Sequence, residues 1–147
     1  MDKKRICLKD IFPILDEKLQ NDGTVELPIT GISMNPLLVA ERDTVIIKKF
    51  AQYNIGDIIF YRRDDGHFVL HRIMGKNDDG FILCGDNQSV KEYGITEKHI
   101  IAKVILINRN GKKITDDNKK YNIYKSFWLH NMPIRKYVLF IIRHLAK

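Results

Sequence analysis

The stretch Pro28-Ile29-Thr30-Gly31-Ile32-Ser33-Met34-Asn35-Pro36 sets a serine in a turn directly after a β-branched run. Glycine two residues earlier relaxes the backbone's steric limits and lets another chain approach closely, while Pro36 fixes the chain direction beyond the serine. A hydroxyl held this way can face a cleft, with its own N–H free to stabilise an oxyanion. Serine is a weak nucleophile at its free pKa and needs a base. Of the five histidines, His71 lies within the run Phe68 to Met74. Strand alternation there sets Phe68, Leu70 and Arg72 on one face and Val69, His71 and Ile73 on the other. An imidazole among Val69 and Ile73 is partly buried, and the commonest role of such a histidine is that of a hydrogen-bonded core residue.

Something must bring these two residues together. From Thr24 to Asn108, short β-branched runs alternate with Gly and Asp turns: Val25 to Thr30, Thr44 to Ile47, Asp57 to Tyr61, Phe68 to Met74, Phe81 to Cys84 and Ile100 to Ile107. This texture predicts a β core. Asp64-Asp65-Gly66 and Asn77-Asp78-Asp79-Gly80 read as hairpin turns, so neighbouring strands should be antiparallel. Ahead of the core, residues 6 to 20 carry apolar residues at helical spacing up to the turn-prone Asn21-Asp22-Gly23, with Pro13 as an internal irregularity. After it, 108–120 read as a polar exposed connection. Tyr121 to Lys147 read as a basic amphipathic helix interrupted near Pro133. The expected organisation is therefore an N-terminal amphipathic helix over 1–23, a core over 24–110, and a polar connection with a basic helical segment over 111–147.

Composition limits the partners. The 147 residues are 44% hydrophobic, which suits one domain with a real core. Lys and Arg number 25 against 18 Asp and Glu, a formal charge of +7. That excess favours an anionic partner without choosing among nucleic acid, lipid and acidic peptide. No aromatic-basic interleaving or recognition motif supports a specific nucleic-acid function. Cys7 and Cys84 lack the count and spacing of a disulfide framework or zinc site. They read as reduced, buried structural thiols, so a cytoplasmic location is expected. The charged amino terminus and the short run Tyr137 to Ile142 are too polar or too short to span a bilayer. The C-terminal helix could lie on an anionic membrane surface or simply pack on the core. No motif calls for a metal or cofactor.

Gly31-x-Ser33-Met34-x-Pro36, Gly56-Asp57-Ile58-Ile59, His71-Arg72-Ile73, Gly85-Asp86-Asn87 and Ile101-Ala102-Lys103-Val104, in that order, resemble the sequence boxes of the S24/S26 superfamily, the signal-peptidase and LexA-like serine peptidases. The resemblance runs from about Val25 to Ile107. It implies a mainly β fold: an antiparallel β-barrel or coiled-ribbon core with an N-terminal helix and a C-terminal amphipathic helical segment. It also implies the histidine-base class, in which Ser33 is the nucleophile and His71 the general base. Histidine suits that role because its unperturbed pKa, about 6.5, already lies near neutrality.

The family's Gly-Asp-Asn box makes Asp86 the first expectation for an acid that orients the imidazole. A downstream acidic pair aligns with Lys91 and Glu92, leaving Glu92 as the alternative acid. Gly31 stands where many signal peptidases carry a serine donor, so the oxyanion and substrate contacts fall to Gly31, Thr30, Met34 and the backbone. For Arg72 and Asp43 the expectation is structural pairing. The resemblance implies a stand-alone endopeptidase, cytoplasmic or peripheral at the inner face of the membrane, that cuts leader or signal-like segments of small precursor peptides. Its partners are then an extended peptide substrate and, at the periphery, an anionic membrane or a membrane-bound exporter. The alternative is a catalytically silent peptide-binding or docking module on the same scaffold. A histidine base further predicts a rate that falls as His71 protonates between about pH 8 and pH 5.

Overall fold

The computed structural model describes residues 7–145; Met1 to Ile6, with the basic cluster and the first apolar position of the expected helix, and Ala146 and Lys147 lie outside the described residues. Helix α1 (Leu8–Gln20) runs through Pro13. Its apolar side, Leu8, Phe12, Leu15 and Leu19, packs on the sheet, and this burial outweighs the hydrogen bond that proline cannot donate. Eight strands follow: β1 (Thr24–Pro28), β2 (Asp43–Lys48), β3 (Ile58–Arg62), β4 (Phe68–Asn77), β5 (Gly80–Cys84), β6 (Glu92–Ile95), β7 (Ile100–Arg109) and β8 (Lys112–Ile114). They form one antiparallel sheet in the order β1-β2-β7-β3-β4-β5-β6, with β8 added to β7. The fold is thus mainly β, with one helix before the core and two after it.

Both faces of the central strands are buried, and the period of two sorts their side chains into two clusters. Ile58 and Phe60 of β3 join Leu27, Val45, Ile47, Ala102 and Ile107 under α1, with Phe68 and Leu70 of β4 against them. Ile59 and Tyr61 join Ile73, Phe81, Leu83 and Ile95, with Val69 against them. The expected alternation along β4 is therefore present, and His71 lies on the Val69–Ile73 side.

Two strands were not foreseen. In β6, Glu92-Tyr93-Gly94-Ile95 has little apolar signal, and pairing of Phe81 with Ile95 and Leu83 with Glu92 holds it. In β8, Lys112-Lys113-Ile114 lies inside the stretch read as a polar connection. The turn Asn110-Gly111, both at positive φ, folds it back on β7. The C-terminal segment forms two helices, α2 (Lys119–His130) and α3 (Met132–Leu145), broken at Asn131 with Pro133 in the first turn of α3. The Asn118 side chain caps α2 by accepting the Tyr121 N–H at 3.0 Å. Among the described residues, no helix is long and apolar enough to cross a membrane.

A buried ion pair ties these layers together. Arg72 and Asp86 are both 0% exposed and meet in a bidentate contact at 2.9 and 2.8 Å. Arg72 also donates to the Gly56 carbonyl at 2.8 Å, and Asp86 accepts from the Tyr124 hydroxyl at 2.9 Å. The Trp128 indole donates to the Asp86 carbonyl at 2.8 Å. One pair thereby joins β4, the turn after β5 and α2. Breaking it strands a buried charge, which typically costs about 3–5 kcal/mol. Asp86→Ala should lose about that much in urea unfolding at neutral pH, and the double variant Arg72→Met/Asp86→Leu should recover most of it.

Candidate active site

Ser33 lies in the long turn between β1 and β2, and two anchors hold that turn. At its far end the Asp43 carboxylate is buried and accepts from the Val39 N–H at 2.9 Å and from Arg42 and Arg109. Burial alone would raise the Asp43 pKa, but these hydrogen bonds hold it below the usual carboxylate range. Both arginines also donate to the Leu37 carbonyl. The expected structural pairing of Arg72 and Asp43 is thus met by separate partners.

At its near end the turn is stitched to Gly85-Asp86-Asn87. The Asn87 N–H donates to the Ser33 carbonyl at 2.9 Å, the Asn87 side chain donates to the Ile32 carbonyl at 3.0 Å, and the Asp86 N–H points at the Met34 sulfur at 3.4 Å. Gly31, at φ 75°, permits the reversal that brings Ser33 to this place.

His71 approaches from β4. A Cβ on Gly85 would lie 2.5 Å from the Ser33 carbonyl oxygen and 3.1 Å from His71 Cδ2, the ring carbon bonded to Nε2. The Ser33 turn and the imidazole edge therefore face each other across the hydrogen of a glycine. Both residues line one cavity of about 540 Å³ with Thr30, Gly31, Met34, Gln88 and Arg63. The described hydrogen bonds include none between Ser33 Oγ and His71.

The other edge of the imidazole meets Tyr61. Pairing Ile59 with His71 makes Tyr61 the diagonal neighbour on the same face, with its hydroxyl 3.2 Å from Nδ1. That hydroxyl donates to Glu92 at 2.7 Å, and Arg63 grips the same carboxylate with two bonds of 2.9 Å. Because the Tyr61 proton is committed to Glu92, the phenol oxygen accepts the proton on Nδ1, which leaves Nε2 unprotonated on the Ser33 side.

Burial pushes the His71 pKa down to about 4, against the opposing pull of Glu92. Burial also raises the Tyr61 hydroxyl well above its ordinary value, an effect that Glu92 strengthens. Although burial alone would raise Glu92, Arg63 and Tyr61 hold it below the usual range. At neutral pH this is a neutral imidazole, a neutral phenol and an ionised carboxylate.

Two expectations change. Asp86, the first expectation for the orienting acid, commits its carboxylate to Arg72 and Tyr124. The carboxylate nearest Nδ1 is Glu92, at 3.9 Å with Tyr61 between them. Burial keeps His71 neutral to about pH 4, so protonation of this residue falls below the window of pH 8 to 5 that the sequence leads one to expect. Tyr61 and Arg63 were missed altogether. Of the two cysteines, Cys84 is buried as expected, whereas Cys7 is exposed ahead of α1.

The family described as Peptidase S24-like matches residues 3–105. Two proteins named LexA repressor, from Leuconostoc citreum (strain KM20) and from Leuconostoc mesenteroides subsp. mesenteroides, are each 28% identical to the chain over 102 residues. Those residues are 69% of this chain and 48% of each relative, so the chain spans about half the length of the curated relatives it matches. No solved structure matches the chain.

The lowered His71 pKa carries a sign. The unfolded chain takes up a proton near pH 6.5 and the folded protein only near 4, so the stability is fully present above 6.5 and is lost as pH falls toward 4. Between pH 7 and 4.5 the loss from this group is about 2–3 kcal/mol. Urea unfolding at the two pH values should show a smaller difference, by about that amount, in His71→Gln.

Proposed function

The chain belongs to the Peptidase S24-like family, and from that premise we propose that it is a serine endopeptidase working through Ser33 and His71. The observation that carries this reading is the meeting of the Ser33 turn and the unprotonated edge of His71 across Gly85, at one wall of a cavity. Ser33 Oγ attacks the peptide carbonyl as Nε2 takes its proton, and the Ser33 N–H, which no protein carbonyl accepts among the described residues, serves the oxyanion. The imidazolium that forms keeps its Nδ1–H on Tyr61, with Glu92 offsetting the new charge through the phenol. Nε2 then returns the proton to the leaving amine. Water, deprotonated by the same nitrogen, releases the acyl group from Ser33.

The cavity suits an extended peptide. One wall is Leu27 to Thr30, at the outer edge of the sheet, and the other is Phe68 to His71, the part of β4 that β5 does not pair. A peptide backbone can bond to these edges while Leu27, Ile29, Phe60 and Leu70 receive apolar side chains. Apolar leader or signal-like segments of small precursors fit that cleft.

The alternative, a silent peptide-binding module, draws on the lack of a direct bond between Ser33 Oγ and His71 among the described residues. Catalytic hydrogen bonds are often long without substrate, so chemistry is the better discriminator. A fluorophosphonate should label Ser33 in the wild type and fail with Ser33→Ala, which should also abolish cleavage of candidate precursor peptides in mass spectra without a change in thermal unfolding. Failure to label the folded wild type would leave the binding module. Tyr61→Phe, which removes both the acceptor for Nδ1–H and the donor to Glu92, should lower kcat by about tenfold or more with KM unchanged.

A further inference from the structure

Helix α3 has a wider apolar side than the protein covers. Arg135 and Leu139 are its buried residues. On the adjoining stripe, at spacings of three and four, Ile134, Tyr137, Ile141 and Leu145 are 45%, 60%, 54% and 79% exposed. From Lys119 to the end, the sequence has lysines and arginines and no Asp or Glu. The helix is 14 residues long, roughly 21 Å at 1.5 Å per residue, and cannot cross a hydrocarbon core of about 30 Å.

We propose that this stripe of α3 docks the protein on an anionic lipid surface, lying in the plane of the interface. A second copy is a poor occupant, because matching stripes would bring two wholly basic segments together. A lipid surface with anionic headgroups instead offers an apolar layer to Ile134, Ile141 and Leu145 and countercharge to Lys136 and its neighbours. The docked helix would bear directly on the site. Arg143 donates to the Asn87 side chain at 2.6 Å and to its carbonyl at 3.1 Å, and Asn87 in turn holds the Ser33 carbonyl. This inference concerns binding alone and does not rest on the proteolytic reading.

The test is co-sedimentation with vesicles of phosphatidylglycerol and phosphatidylcholine, and with vesicles of phosphatidylcholine alone. The wild type should bind the first and not the second. Ile134→Ser/Ile141→Ser/Leu145→Ser keeps the net charge and alters only exposed side chains, so it should unfold at the wild-type temperature and bind about tenfold or more weakly. Lys136→Glu, tested separately, should also weaken binding to the anionic vesicles. No binding by the wild type, or equal binding by the triple variant, would overturn the proposal, the latter reducing it to the general attraction of a basic protein. Self-association in sedimentation velocity that the triple variant abolishes would overturn it in favour of a second copy.

Discussion

The structure depends on a charge pair that water does not reach. Arg72 and Asp86 sit where three separate pieces of chain converge, and each uses its remaining hydrogen-bonding capacity on a different piece: the Gly56 carbonyl, the Tyr124 hydroxyl and, through the Asp86 backbone, Trp128. A buried pair of this kind is poor evidence of net stability, since desolvation offsets much of the attraction. Its value here is positional. Asp86 is flanked by Gly85, which separates Ser33 from His71, and by Asn87, which holds the Ser33 carbonyl. Fixing Asp86 fixes both neighbours, and through them the approach of the Ser33 turn to His71.

The same burial that orders the site shapes its acid–base character. His71 is 3% exposed, so its charged form is disfavoured and the imidazole rests as a free base. A base of such low pKa is weak on its own. In the proposed reaction Glu92, ionised and gripped by Arg63, offsets the positive charge on the ring, and Tyr61 carries that influence over a gap too long for a direct bond. The arrangement keeps a carboxylate near the imidazole without leaving it unpaired among apolar side chains.

Much of this was legible beforehand. The strands flanking the two aspartate-rich hairpins, the two faces of β4, and the helices at either end follow from periodicity and turn chemistry, because they bury one apolar stripe per face. β8 was hidden because its residues are polar and its hairpin rests on the backbone freedom of Asn110-Gly111. Tyr61 was hidden differently. The turn at Asp64-Asp65-Gly66 sets a register in which residue 59 faces residue 71, and that register makes Tyr61 the diagonal neighbour of the histidine. Glu92 could not be chosen over Asp86 from order along the chain, since Asp86 is drawn away by an arginine on the opposite face of the strand that carries His71. Alternation had already placed Arg72 and His71 on opposite sides, and the two acids divide between them accordingly.

The lack of room for a side chain at position 85 has a bearing on how related chains are to be understood. A methyl group there would wedge the Ser33 turn and the imidazole apart without touching either side chain's identity. A descendant could therefore keep its serine and its histidine and still be a pure binding scaffold. The hydrogen of one glycine thus decides whether the two residues can meet at all.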